Sequence, residues 1–299
     1  MGKLIRCITS DGLVMATALD STDIVSKAEE IHSTSAVVTA ALGRLLTAVS
    51  MMGNALKNSN GSVSVKIDGD GPIGSLVAVS DADGNVRGYA QNNVVEIPLK
   101  PNGKLDVSGA VGKGTLYAVK DIGMKEPYNG YVPLVSGEIA EDITSYYAVS
   151  EQIPTVCALG VLVNPDLTVK KSGGYIIQLL PAANGDDEVI TKLENNIGNM
   201  KSVTQLLDEG FDIEEIVKKA LDGFEVEVLE SKVAAYKCNC SRKRFKKALM
   251  SLGYEELNSL ANEMPKAETK CQFCGETYSF SSDELKTFIR QIKSNKKEK

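Results

Sequence analysis

The chain has 299 residues, of which 43% are apolar and 24% charged, a balance typical of a soluble globular protein with a core domain and one or two smaller units. Its net charge of −6 argues against nucleic-acid binding over the whole surface, although it is compatible with a local basic patch. The single histidine, His32, has no nucleophile motif beside it, so Ser-His-Asp or Cys-His catalysis is not expected and we predict that the protein is not an enzyme.

The first residues contain no apolar segment of the kind found in signal peptides. The longest apolar run, 35–56, contains Arg44 and many small polar residues, so it is predicted to form a buried or amphipathic helix and not a membrane span. We therefore expect a cytoplasmic protein without membrane contact.

Residues 1–181 are predicted to form an α+β core domain, because strand and helix patterns are mixed and joined by hairpin-like turns. Strands are predicted at 3–8, 13–18, 62–67, 73–80, 86–91, 115–121, 156–163 and 175–180. Helices are predicted at 22–31, 33–56 and from 136 to 147, and residues 99–113 are expected to form a long loop.

Residues 182–230 are predicted to form a helical linker that follows a break in composition, PAANGDD at 181–187. Three short helices with glycine stops are expected here, the second capped by Ser202 and the third by a capping box of Asp212 and Glu215, before a strand-like stretch at 224–229. Because such short helices are marginal alone and depend on docking, the linker is predicted to be conditionally folded.

Residues 231–299 are predicted to form a small C-terminal zinc-binding domain with a basic tail. Helices are expected over 241–251 and 255–262 and after a capping box of Ser281 and Glu284. The tail, 293–299, is expected to be disordered.

Two close cysteine pairs dominate this region: Cys238-Asn-Cys240 and, after 30 residues, Cys271-Gln-Phe-Cys274. Two pairs supply the four soft thiolates that zinc prefers in a closed tetrahedral site. The sequence therefore predicts a zinc site with these four cysteines as ligands. The first pair and the long gap differ from an ordinary zinc ribbon, in which Cys-x-x-Cys repeats after about 15–20 residues.

Other interpretations of the cysteines were weighed. Four unrelated buried cysteines would not be expected to occur in pairs, and a permanent disulfide framework suits small secreted domains. A redox switch is an alternative to a purely structural site, because the thiolate is the species that oxidants attack. Cys7 and Cys157 lie in apolar, strand-like surroundings and are predicted to be buried structural residues.

Two glycine-rich motifs and one basic cluster carry weaker signals. Residues 69–74 match GxGxxG, but Pro72 and the strand that follows make a turn between strands the better interpretation, and 109–114 lack the Gly-Lys-Ser/Thr ending of a phosphate loop. The basic cluster 242–247 could contact nucleic acid, compensate thiolate charge, or form a solvated helix face.

The cysteine block resembles that of the heat shock protein 33 family, the redox-regulated bacterial holdase chaperones. The similarity rests on YKCNCSR at 236–242 and CQFCG at 271–275, and on three N-terminal stretches: GDGP at 69–72, SGEIAED leading to the tyrosines at 146–147, and SEQIPT at 150–155. It covers essentially the whole chain. Lys243 stands where the family pattern leads us to expect an acidic residue, which changes local charge but not the ligands.

This resemblance implies a mixed α/β N-terminal domain, a helical linker and a zinc switch that keeps the chaperone off when reduced. It further implies that oxidants form the disulfides Cys238–Cys240 and Cys271–Cys274, that zinc leaves and that the linker is destabilised. The active form is then expected to dimerise and to hold unfolding client proteins without ATP.

Two further function classes stay open at this point. A zinc-ribbon protein could bind nucleic acid through the 242–247 cluster, which would give the reduced form a salt-sensitive affinity for RNA or DNA. A thiol oxidoreductase could use Cys271 and Cys274, but this pair does not follow a strand in a βαβ pattern.

Overall fold

The computed structural model describes residues 2–183 and 185–297, and the chain divides into two compact units, Met1–Lys237 and Cys238–Lys299. The strands of the first unit are β1 (Gly2–Thr9), β2 (Val14–Asp20), β3 (Ser62–Gly69), β4 (Ser75–Asp81), β5 (Val86–Ala90), β6 (Gly114–Asp121), β7 (Tyr128–Pro133), β8 (Thr155–Val163), β9 (Val169–Leu179) and β10 (Val226–Ala234). Its α-helices are α1 (Thr22–His32), α2 (Ala36–Asn54), α3 (Val107–Val111), α4 (Ala140–Tyr146), α5 (Asp187–Gly198), α6 (Val203–Asp208) and α7 (Ile213–Ala220). A π-helical turn, Tyr147–Glu151, continues α4, and a 3-10 turn, Pro181–Ala183, follows β9.

The second unit contains α8 (Arg242–Ser251), α9 (Tyr254–Glu263), β11 (Lys266–Lys270), β12 (Thr277–Ser281) and α10 (Ser282–Lys297). The tail that was predicted to be disordered from Lys293 is instead helical as far as Lys297, because α10 continues through it. Residues 298 and 299 lie outside the described part of the chain.

Two antiparallel sheets build the first unit. In the described part of the chain, the first sheet has the strand order β10-β1-β2-β9-β8 and the second has the order β5-β4-β3-β6-β7. Neighbouring strands in both sheets pair antiparallel. Helices and pairs of antiparallel strands are interspersed along the chain. This arrangement confirms the predicted α+β class and excludes a doubly wound parallel sheet.

Helix α2 lies between the two sheets and forms the centre of the first unit. Its side chains share one core with Leu4 and Ile176 of the first sheet and with Val65 and Leu76 of the second. Among the described residues it is the one helix long and apolar enough to cross a membrane by length and composition, yet 89% of that window is buried inside the protein. The prediction of a buried helix over this apolar run is therefore confirmed.

The opposite face of the first sheet is covered by α5, α6 and α7. Ser202 and Asp212 cap α6 and α7 through their side chains, as predicted, and Asp186 caps α5. The three helices and the sheet share a second core, which contains Ile5, Cys7, Val14, Ala16, Ala18, Tyr175 and Ile177 from the strands. Residues 231–237, which were placed in the C-terminal domain, lie in the first unit, where β10 pairs with β1.

The two glycine motifs pack against each other. Gly71 N and Ile73 N donate to the carbonyls of Val111 and Ala110 at the end of α3, at 3.0 and 3.1 Å. A Cβ on Gly69 would lie 2.0 Å from the Val111 carbonyl oxygen, so glycine is required for this close approach. The predicted turn between strands at 69–74 is confirmed.

An ion cluster neutralises Arg44, the charged residue in the apolar run. Glu138 accepts hydrogen bonds from Arg44 and from Lys100, and its side chain is 24% exposed. Burial opposes ionisation of Glu138, but the hydrogen bonds from Lys100 and Arg44 and their charges outweigh it and lower its pKa to about 2. The buried Asp142, four residues on, accepts backbone hydrogen bonds from the loop that precedes α4.

Strands β7 and β11 and helix α3 are among the elements that were not predicted from the sequence. Strand β7 is short and has exposed side chains at Tyr128 and Tyr131, so its alternation carries little apolar signal. Helix α3 has five residues inside a Gly-rich stretch and is held by the Asp106 cap and by burial of Val107. Strand β11 is mostly polar and is fixed by its pairing with β12.

Substitution of Glu138 by Gln is expected to destabilise the protein by about 2 kcal/mol at neutral pH, because it removes a carboxylate paired with two cations. The folded-state pKa of Glu138 lies below its ordinary value of 4.5, so this stabilisation is present above pH 4.5 and disappears as the pH falls towards 2. The difference in unfolding free energy between wild type and variant, measured by urea titration from pH 7 to 3, should therefore shrink on acidification.

Exposed Glu141 provides the matched control, and Glu141→Gln should stay within about 0.5 kcal/mol of wild type throughout. A Glu138→Gln effect of the same size at every pH would show that the ion pairs do not stabilise the fold.

Candidate metal centre

The four cysteines of the second unit come from two segments that flank its helices. Cys238 and Cys240 precede α8, whose N-terminus is capped by the Ser241 side chain. Cys271 and Cys274 lie in the turn between β11 and β12. Helices α8 and α9 and strand β11 therefore lie between the two pairs along the chain.

The turn that carries the second pair is fixed by its backbone. Cys271 N donates to Glu276 O and Gly275 N donates to Cys271 O, both at 2.8 Å. Gly275 has a φ of +75°, a left-handed conformation that glycine adopts without strain. The Cys-x-x-Cys-Gly sequence thus folds into a tight turn with both thiols on the same side of the hairpin.

The sulfur atoms meet in one cluster. All four Sγ atoms lie within 4.8 Å of one another, with Cys238 3.7 Å from Cys271 and Cys240 3.4 Å from Cys274. Four sulfurs bound tetrahedrally at 2.3 Å from zinc would be about 3.8 Å apart. The cysteines can therefore hold a metal ion with little rearrangement.

Tyr278 contacts this cluster through its hydroxyl. The hydroxyl lies 3.1 Å from Cys240 Sγ, and the Tyr278 ring stacks on Phe245 of α8 with 4.8 Å between ring centroids. Burial opposes ionisation of Cys240, but hydrogen bonds from Tyr278 and from the neighbouring thiols outweigh it and lower the pKa of Cys240. The hydrogen bond to Cys240 in turn raises the pKa of Tyr278, which stays protonated and donates to the sulfur.

Cys238 and Cys274 have a different electrostatic environment. Burial is the main cause that raises the pKa of both thiols, and at Cys274 the contacts with the neighbouring thiols raise it further. Without a cation, the protonated forms of these two thiols are therefore favoured. A bound cation would reverse this preference, because it stabilises all four thiolates at once.

A small apolar core supports the cluster. It contains Leu257, Ala261, Ala267, Phe280, Leu285, Phe288 and Ile289. Helix α8 contributes no fully buried residue to it, although Phe245, Leu249 and Met250 pack at its edge. The unit therefore has a core, but a small one for its length.

The basic cluster at 242–247 is partly engaged within the second unit. Arg242 donates to the Ser279 carbonyl and to Glu284, and its guanidinium lies 4.3 Å from the Phe280 ring centroid. The Lys246 ammonium lies 4.7 Å from the centroid of the Phe288 ring. Two members of the cluster, Arg242 and Lys246, thus make intramolecular contacts within the second unit.

The other two cysteines and the histidine lie in the first unit. Cys7 is buried under the α5–α7 layer, and burial raises its pKa to about 11. Cys157 is half-buried beside the core around α2, and burial raises its pKa as well, so the predicted burial is confirmed for Cys7 and is only partial at Cys157. His32 ends α1, and its Nε2 is 3.1 Å from the Tyr236 hydroxyl.

Tyr278 was missed as a site residue when the sequence was analysed. Tyr278 and Phe280 alternate along the sequence, but alternation does not reveal which strand pairs with this segment or what lies against the tyrosine ring. The missing information was the β11–β12 register, in which Tyr278 pairs with Thr269, together with the packing of α8 on the hairpin.

Comparison with known proteins gives a consistent result. The model of the protein family described as "Hsp33 protein" matches residues 2–281. A "33 kDa chaperonin" from Lachnoclostridium phytofermentans is 47% identical over 286 residues, covering 96% of this chain and 97% of that protein. A "33 kDa chaperonin" from Clostridioides difficile is 45% identical over 290 residues, covering 97% and 99%.

A solved structure is also similar over the whole chain. The crystal structure of a 33 kDa chaperonin (heat shock protein 33 homolog) from Thermotoga maritima superimposes with a TM-score of 0.88 at 35% identity. The alignment covers 98% of this chain and 99% of that one.

Replacing any one of Cys238, Cys240, Cys271 or Cys274 by Ser is expected to weaken binding of a soft divalent ion by at least about 100-fold. Loss of a direct ligand should cost more than the 10–100-fold typical of outer-shell changes. Competition against a chromogenic chelator, with metal content measured by mass spectrometry, would determine the affinities. The variants Cys7→Ser and Cys157→Ser are the controls and should each retain one ion per chain, whereas unchanged affinity in any of the first four would remove that residue from the site.

Proposed function

Because the chain belongs to the Hsp33 family, we propose that it is a redox-regulated, ATP-independent chaperone that holds unfolding proteins when the second unit is oxidised. In the reduced form, zinc bound by Cys238, Cys240, Cys271 and Cys274 keeps it inactive. Oxidation joins Cys238 to Cys240 and Cys271 to Cys274, and the metal is released. The active form is a homodimer that works in the cytoplasm and has no catalytic role.

The convergence of the four sulfurs is the observation that carries this proposal. All four Sγ atoms lie within 4.8 Å of one another although they come from two separate segments. Four thiolates favour zinc over hard cations such as magnesium or calcium, which prefer oxygen ligands. When bound there, zinc would stabilise the thiolates and fix the two segments together.

The stability of the second unit should depend on that ion. A structural zinc site contributes roughly 10–16 kcal/mol in small zinc peptides. The small core of the described residues supplies little by comparison, and small domains commonly need such a metal or a disulfide to fold. Removal of the thiolate ligands is therefore expected to unfold the unit.

The oxidation step balances with hydrogen peroxide as the oxidant. One thiolate of a pair attacks a peroxide oxygen, which breaks the O–O bond, gives a sulfenic acid and releases hydroxide. The second thiolate of the same pair displaces the sulfenic hydroxyl, forms the S–S bond and releases a second hydroxide. Each cysteine pair loses two electrons, and each peroxide becomes two waters after protonation. Each disulfide therefore removes two thiolate ligands from the metal site.

Client binding would use the face of the first sheet that α5–α7 cover. This face carries Ile5, Val14, Ala18, Tyr175 and Ile177, all buried in the reduced form. The covering helices have 12, 6 and 8 residues, short enough to be marginal without docking. We infer that residues 182–230 act as the conditionally folded linker and that detachment of its helices α5–α7 exposes this face.

Peroxide at a mildly raised temperature is expected to release one zinc per chain and, only then, to suppress light scattering by a heat-unfolding client protein. Zinc would be followed with a chromogenic chelator in the same cuvette. Peptide mapping should recover the disulfides Cys238–Cys240 and Cys271–Cys274. Cross-linked pairs such as Cys240–Cys274, whose sulfurs lie 3.4 Å apart, would contradict the proposed pairing.

Cys7 offers an internal probe of the detachment of the linker in the same experiment. Its thiol is sealed beneath α5–α7 and should react with a maleimide only when those helices leave, whereas Cys157 faces the other core and should keep its reactivity. The rate of Cys7 labelling is expected to rise at least about tenfold on oxidation. If clients are protected but Cys7 is not labelled, the client site lies elsewhere. If zinc stays bound and clients are not protected, the four-cysteine site is purely structural. Nucleic-acid affinity would then be the next property to measure.

A further inference from the structure

We propose that Tyr278 is a positioning residue for the Cys240 sulfur, and that its hydroxyl hydrogen bond restrains this sulfur from attacking oxidants. This inference rests on the proposed redox function and concerns how readily the reduced form is oxidised. It assigns a role to a side chain that is not itself a candidate ligand.

The Tyr278 side chain is held on two sides. Its backbone belongs to β12 and pairs with Thr269 of β11, while its ring stacks on Phe245 at an interplanar angle of 28°. The hydroxyl thereby reaches to 3.1 Å from Cys240 Sγ, a normal distance for an O–H group that donates to sulfur. The contact is therefore fixed by a strand pair and a helix.

Helix α8, which carries Phe245, is itself tied to the same hairpin. Arg242 donates hydrogen bonds to the Ser279 carbonyl on β12 and to Glu284 at the start of α10. Glu284 also accepts from Ser281 N and so closes a capping box. These contacts hold the residues that directly follow Cys240 against β12, the strand of Tyr278, and they do not involve a metal ion.

The chemical consequence follows from the lone pairs of the sulfur. Oxidation begins when a thiolate lone pair attacks a peroxide oxygen, and a hydrogen bond to that lone pair lowers its availability. Outer-shell hydrogen bonds have the further effect of orienting a metal ligand. Loss of the Tyr278 hydroxyl should therefore leave Cys240 more nucleophilic and less firmly placed.

Tyr278→Phe is the variant that tests this, because it removes the hydroxyl and keeps the ring on Phe245. In the zinc-loaded reduced protein, where Cys240 is already a thiolate, the rate constant for its oxidation by peroxide, measured by quenched alkylation and peptide mass spectrometry, is expected to rise about fivefold, the factor set by one ordinary hydrogen bond. In the cobalt-substituted protein, the sulfur-to-metal charge-transfer band should move to lower energy, because the sulfur lone pair is no longer stabilised. The melting temperature of the metal-loaded protein should fall by no more than about 8 °C, the shift that loss of one ordinary hydrogen bond produces in a unit of this size.

Tyr254→Phe is the matched control, since Tyr254 is a tyrosine of the same unit placed on α9. It should change neither the oxidation rate nor the cobalt band. An unchanged rate and an unchanged band in Tyr278→Phe would overturn the inference even if the wild-type protein is activated by oxidation as proposed. If instead the wild type keeps its metal under peroxide, the proposed function fails, whereas the cobalt band still reports on the Tyr278 contact.

Discussion

The convergence of four thiols is the constraint on which the second unit depends. The two cysteine pairs reach each other only when α8, α9 and β11 are folded between them, and those elements have a small core of their own. Under the proposed function, sulfur chemistry and folding are linked, because a change in the four thiolates would change the folding equilibrium of the whole unit. A chemical change at two short segments would in this way alter some 60 residues of structure.

The first unit contains a related asymmetry. One face of the first sheet packs on α2, a helix of 19 residues that is buried on nearly all sides and shares its core with the second sheet. The other face packs on three short helices whose outer surfaces are polar and whose ends rely on caps such as Asp212. Removal of α2 would dismantle the unit, whereas removal of the short helices would leave both sheets and α2 in place. Of the two helical layers on the first sheet, only α5–α7 could detach and dock again without loss of the sheets.

The sequence was most informative where a local pattern determines the structure. The cysteine pairs, the caps at Ser202 and Asp212, and the long apolar run around Arg44 each carry their signal within a few residues, and the structure agrees with all of them. What could not be predicted depends on partners distant in sequence. The polar residues of β11 form a strand only because they pair with β12. Arg44 is tolerated in a buried helix because Glu138, remote in sequence, neutralises its charge. The contact of Tyr278 with Cys240 needs both the hairpin register and the placement of α8, neither of which periodicity contains.

The pairing of β1 with β10 has a consequence for how the chain is made. Gly2 lies opposite Ala234, so β1 cannot acquire this neighbour until more than 200 further residues, nearly the whole first unit, have been synthesised. At about 5–20 residues per second, that wait is on the order of ten seconds or more. During this interval one edge of the first sheet is open and the later covering helices do not yet exist, so apolar strands such as β1 are available for wrong pairing. A member of a chaperone family is thus, as a nascent chain, in the same aggregation-prone condition as the proteins that such chaperones bind.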